Sequence, residues 1–152
     1  MNTRIKTAFW LYLTAIFLFG LSGVVYLCRF EFMPYHAVAT GTAWADVDPR
    51  FQLLLLGGIR LLGAAWIATA TAMGILLFIP FRQGMQWARW SVPVPGLIAG
   101  LPALYVTISV TVNTPATAPW IGIVIFLLLL CAGFAVSFRA GPTDPDPGSR
   151  KD

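Results

Sequence analysis

The sequence predicts an all-α fold, an integral membrane four-helix bundle, and three observations carry the prediction. The chain is 58% hydrophobic and only 11% charged, against roughly 25% charged in a soluble domain. Four apolar runs each approach the ~20 residues that a helix needs to cross a hydrocarbon core about 30 Å thick. The charges fall almost entirely between those runs, in connections and near the ends. A length of 152 residues accommodates four spans, short connections and a single small bundle. A sequence pI near 9.5 raises nucleic acid as a partner, but the ten Lys and Arg are scattered between apolar runs and form no basic stripe, so no nucleic-acid surface is expected.

The first span is expected over about residues 8–28, where Arg4 and Lys6 precede an unbroken apolar run. A cleaved secretory signal is the competing reading, because Ala37-Val38-Ala39 resembles a cleavage site. The run has 21 residues where a signal core has roughly 7 to 15, and Arg29 and Glu31 intervene. Residues 29–48, RFEFMPYHAVATGTAWADVD, hold three of the six acidic residues and the only histidine. A connection of this length predicts a folded outer cap of ~20 residues between helices 1 and 2, with Tyr35 and Trp44 at the membrane surface. Asp48 then caps the second helix and Pro49 occupies its first position.

The second span is expected over about 50–79 and ends at Pro80. Residues 51–79 would measure about 43 Å as a helix, well beyond the hydrocarbon thickness, so part must tilt or project. Arg82, Trp87, Arg89 and Trp90 then make a compact basic and aromatic turn. The third span, about 91–112, carries Pro93, Pro95 and Pro102 and is expected to be kinked or partly unwound. The fourth covers about 120–138, and the Pro- and Asp-rich tail from 139 to 152 is expected to be disordered. These four spans form one transmembrane domain, residues 1–138.

Orientation follows from the basic residues. Arg4, Lys6, Arg82, Arg89, Arg139, Arg150 and Lys151 are seven of the ten. The positive-inside rule places both termini and the second turn in the cytoplasm.

Arg60 is the sharpest chemical signal, because a charge inside a span costs about 2.5 to 3.5 kcal/mol on insertion scales. Its candidate partners are Glu31, Asp46 and Asp48 from the cap. The bland reading is a buried ion pair pinning the cap to the bundle. The functional one is a pocket floor made by Arg60, His36 and the cap acids. Gly57, Gly63, Ala64 and Ala68 fall near the same helical face as Arg60 and are expected to pack against another helix, as are Gly96 and Gly100 in the third span. Cys28, Met33 and His36 offer soft donors of the type that selects copper, but at no tight ligand spacing, so no metal is expected. No catalytic set appears, and no span carries the polar stripe of a water-filled pore.

The segment GGIRLLGAAWIA places an Arg three residues before a Gly at the start of a small-residue helix. With the four-span plan, it resembles the DoxX-like small bacterial membrane proteins. The resemblance implies a multi-pass protein of the bacterial inner membrane, associated with respiratory or redox complexes, and implies no catalytic residue. The expectation is a non-catalytic accessory or scaffolding subunit of a larger membrane complex, redox or photosynthetic. Its partners would be the lipid bilayer, other membrane subunits and, as a homo-oligomer, copies of itself. The alternative is a small-ligand binder, transporter or membrane enzyme with an outward-facing pocket for a lipid head group or quinone at Arg60. No cofactor is expected beyond such a bound lipid or quinone.

Overall fold

The computed structural model describes residues 3–139; the tail beyond them lies outside the described residues. Helices α1 (Thr3–Leu27), α2 (Pro34–Thr40), α3 (Pro49–Leu76), α4 (Ala88–Ser91), α5 (Pro93–Asn113) and α6 (Trp120–Phe138) follow in order, with no strand among the described residues. Four stretches are long and apolar enough to cross a membrane: Thr3–Leu27, Pro49–Phe81, Ala88–Asn113 and Trp120–Phe138. Large apolar side chains such as Leu53, Leu61, Ile98 and Leu128 point outward and are exposed. Water would not tolerate so continuous an apolar surface, whereas a bilayer covers it. The chain is therefore read as a multi-pass membrane protein.

Helix α1 is the hub, packing along α3 on one side and α6 on the other; α5 leans on α6 and meets α3 only loosely. The α1–α3 contact is made backbone to backbone. A Cβ on Gly63 would stand 2.5 Å from the Leu27 amide and 2.7 Å from the Gly23 carbonyl, and one on Gly23 would lie 2.9 Å from the Gly63 carbonyl. Only hydrogen fits at either position, and close approach of this kind is what holds membrane helices together where no hydrophobic effect operates between them. Elsewhere, Tyr12 is fully buried, its ring lying where a Gly133 side chain would go and edge-on to Phe81 at 5.6 Å. Gly96 and Gly100 of α5 make room for Phe126, Leu127 and Leu130 of α6.

The inward face of α3 differs from the expected one. It buries Ile59, Gly63, Trp66, Ala70 and Met73, whereas Gly57, Ala64 and Ala68 lie on the opposite, exposed face, with open space beside Gly57. Small residues permit an approach without fixing its direction. Trp66 turns inward because the Gly23–Gly63 contact leaves room beside it, where its ring tilts against Phe19 and Tyr26.

Proline interrupts the third span as expected, at Val92 between α4 and α5, directly before Pro93. Helix α5 stays helical through Pro102, and Pro93 occupies its first turn, where no intrahelical N–H is needed. A second irregularity falls at the end of α3, where Leu77–Phe81 forms a π turn around Pro80. A wider turn absorbs the missing donor, and the helical run ends at Phe81 rather than at residue 79.

Substituting Gly63→Val drives methyl groups into the α1 backbone and should destabilise the bundle by about 1–3 kcal/mol, the usual cost of overpacking. Gly57→Ala should be neutral or stabilising by up to about 1 kcal/mol, since it meets nothing and improves helix propensity. Thermal unfolding of the two variants in detergent checks the contrast.

Candidate functional site

Because α3 runs antiparallel to α1 and Gly63 lies level with the last turn of α1, the segment Pro49–Arg60, roughly 17 Å long, overhangs the end of α1. The 29–48 connection packs around this overhang. Phe32 is buried at 6% exposure, edge-on to Trp44 at 5.0 Å and to His36 at 6.0 Å. The Gln52 Nε2 amide donates to the Trp44 carbonyl at 2.8 Å. The Asp48 carboxylate accepts from the Arg50 amide at 2.8 Å, capping α3 just before Pro49. Helix α2 begins at Pro34 and ends at Gly41, whose φ of 65° is the left-handed conformation that favours glycine.

Arg60 is exposed, and its hydrogen bonds run to the backbone. Nε donates to the Arg29 carbonyl at 3.3 Å and Nη2 to the same oxygen at 3.2 Å. That oxygen lies just past the end of α1, where free carbonyls and the negative end of the helix dipole favour a cation. Arg29 itself donates to the carbonyls of Glu31 and Phe32. Glu31, Asp46 and Asp48 are all exposed, and Asp48 serves the helix cap. The group predicted around Arg60 is thus dispersed, and His36 alone of that set reaches a cavity.

The cavity lies at the loose seam between α3 and α5. It measures about 640 Å³, and Tyr35, His36, Ile59, Trp66, Ala103 and Thr107 are among its walls. A second cavity of about 620 Å³, lined in part by Val25, Met33 and Val38, adjoins it, and Ser22, Tyr26, Tyr35 and Pro119 line both. No Lys, Arg, Asp or Glu lines either one. The polar groups gather where α2 meets α1: the Tyr26 and Tyr35 hydroxyls share a hydrogen bond at 3.1 Å, and the His36 ring lies edge-on to Tyr35 at 4.1 Å. Burial holds the Tyr35 phenol above its usual range, reinforced by the Tyr26 hydroxyl. Burial pushes the His36 imidazole below its usual value, favouring the neutral ring.

The metal candidates part company. Met33 lines one cavity, His36 the other, and Cys28 is exposed beyond α1. No group of three or more His, Cys, Asp or Glu able to hold a metal occurs among the described residues. Sequence reasoning missed Tyr26, Trp66 and Thr107 as cavity residues. The i, i+4 spacing of Ser22 and Tyr26 on one face of α1 was the only signal available for the first of them.

Fold and site define a class, a multi-pass four-helix membrane protein with an apolar cavity whose polar groups converge at one end. No family model matches the chain, and no curated protein or solved structure matches it.

Two outcomes test this geometry. Arg60→Gln should loosen the 29–48 connection, speeding its amide exchange about two- to fivefold while the spans stay protected, as expected for a cation lost from a helix C-terminus. The folded pKa of His36 lies below its ordinary 6.5, so the undocked connection binds the proton more readily. The stability contributed by the neutral ring is therefore present above pH 6.5 and lost as pH falls from there through the folded pKa. Exchange of residues 34–40, corrected for intrinsic rates, should accelerate below about pH 6.5 in the natural protein and lose that dependence in His36→Gln.

Proposed function

We propose that the protein binds a membrane-dissolved amphiphile of lipid or quinone type in the α3–α5 cavity, its polar head at Tyr26, Tyr35 and His36 and its apolar part along Trp66, Ile59 and Ala103. The observation that carries this reading is the cavity itself. Its volume of about 640 Å³ falls within the roughly 300–1,000 Å³ of ligand sites, which typically combine apolar walls with a few convergent polar groups. The pocket expected at Arg60 is replaced by one a helix face away, because Arg60 is engaged by the end of α1.

The orientation belongs to the same proposal. Arg4, Arg82, Arg89 and Arg139 mark the end of the bundle opposite the 29–48 connection, and Arg4 Nη1 donates to the Arg139 carbonyl at 2.9 Å. With that basic end in the cytoplasm of a bacterial inner membrane, the cavity opens within the outer leaflet, where lipid-soluble ligands reach it sideways.

A second reading is an accessory subunit of a larger membrane complex, of the redox type that the DoxX-like resemblance implies. The uncovered small-residue face of α3, with Gly57, Ala64 and Ala68 exposed, favours it, since such a face admits a neighbouring helix closely. The two readings are compatible, one using the inside of the seam and the other the outside.

Gly58 lines the cavity and has open space where a side chain would go. Gly58→Leu should fill the cavity without loss of fold and raise stability by about 0.5–1 kcal/mol through helix propensity. Mass spectrometry of protein purified in mild detergent should show a co-purifying amphiphile in the natural protein and its loss in the variant. Retention at unchanged stoichiometry would count against the cavity as the site.

A further inference from the structure

We infer that the cavity selects amphiphiles whose polar head is uncharged and accepts a hydrogen bond, a hydroxyl or carbonyl head rather than a carboxylate, phosphate or ammonium. The inference rests on the binding reading above and names the ligand class of that site.

Charge complementarity carries it. No Lys, Arg, Asp or Glu lines either cavity, and the one titratable nitrogen base in the lining, His36, is held toward its neutral form by burial. The two guanidiniums nearest in sequence to its walls, Arg29 and Arg60, are turned onto the backbone carbonyls of residues 29, 31 and 32. Glu31, Asp46 and Asp48 are exposed and absent from the lining. An ionised head leaving the interface for this space would give up its hydration with no counter-charge to replace it, and a buried unpaired charge is far more costly than a buried hydroxyl or carbonyl.

The donors present suit a neutral head. Ser22 Oγ already donates to the Leu18 carbonyl at 2.9 Å and Thr107 Oγ1 to the Ala103 carbonyl at 2.9 Å, so both hydroxyls offer lone pairs. Tyr26 and Tyr35 share one hydrogen bond. Whichever phenol donates, the other keeps its own proton, so the pair presents one free O–H donor. A hydroxyl head can use both this donor and the neighbouring acceptors, and a ketone or quinone carbonyl can use the donor alone. The packed rings of Trp66 and Tyr26, 4.8 Å apart, line the cavity and give the apolar body an aromatic wall.

The test uses the purified full chain in phosphatidylcholine vesicles and four photoreactive diazirine probes of one chain length, differing only in head: alcohol, methyl ketone, carboxylate and phosphate monoester. At pH 8 the alcohol and ketone should label peptides containing residues 34–40 and 99–107 at least tenfold above the carboxylate and phosphate probes, and Gly58→Leu should abolish that labelling. The double variant Tyr26→Phe with Tyr35→Phe keeps both rings and leaves no orphaned partner, so the fold should persist while neutral-head labelling drops about tenfold, the loss of one hydrogen bond. Equal labelling by charged and neutral heads overturns the charge selection and leaves the binding reading standing. Absence of cavity labelling by all four probes overturns both. Unchanged neutral-head labelling in the double variant overturns the role of the phenol pair in reading the head.

Discussion

The contact between Gly23 and Gly63 sets the arrangement of everything around it. Two helices meet there with no side chain between them, and the antiparallel register that results is fixed to within a turn. That register decides which residue of α3 stands at the end of α1, and it is Arg60. It also decides how much of α3 protrudes, and therefore why a connection of twenty residues is needed to return from Cys28 to Pro49 and has a surface to pack on. A substituent on either glycine would push α3 outward, withdraw Arg60 from the Arg29 carbonyl and open the seat of Trp66 together.

The cavity is a consequence of the same preference. Helix α3 cannot lie close to α1 along its glycines and also close tightly on α5, because α1 and α5 are held apart by α6. The wide aromatic layer formed by Phe19 and Trp66, with Phe19 stacked on Phe126 at 4.5 Å, props the centre of the bundle open at the level where α5 offers the modest side chains of Ala99, Pro102, Ala103, Val106 and Thr107. Large residues on one side of the seam and small ones on the other leave space unless a further side chain or a ligand occupies it. Helix α2 roofs that space by way of two residues, Tyr35 and His36, and buries none of its residues fully. A short helix held by so few contacts belongs to the low-stability part of a fold, from which ligand-gating elements are drawn.

Much of the architecture was legible in the sequence because hydropathy and punctuation report it directly. Four apolar runs became four helices long enough to span, and Asp48-Pro49 marked the start of α3 through cap chemistry that operates within a few residues. The direction of each helix face was not legible. Gly57, Ala64 and Ala68 share a face and look like a packing stripe, yet that face is exposed, while Gly63, about a third of a turn around the helix from them, packs against α1. In lipid both faces of a span are apolar, so the polar-versus-apolar contrast that orients a soluble helix is missing. The site was legible only in part for the same reason. His36 was singled out by its chemistry, but its companions Tyr26, Trp66 and Thr107 come from three spans, and nothing local in the chain announces their convergence.

Arg60 drew attention as a charge out of place, and its actual partner explains why it needs no carboxylate. A guanidinium has several N–H donors and no acceptor, and a helix end supplies carbonyl oxygens that have no donor of their own. Each satisfies the other without burying a second formal charge, which an ion pair beneath the cap would have required at greater desolvation cost. Arg60, so engaged, does not line the cavity. With Arg29 similarly turned onto its own connection, the space between α3 and α5 is left to phenol, hydroxyl, imidazole and ring. A residue that looked like the floor of a charged pocket thereby contributes to the cavity by staying out of it, fixing the end of α1 from which Tyr26 reaches the phenol pair.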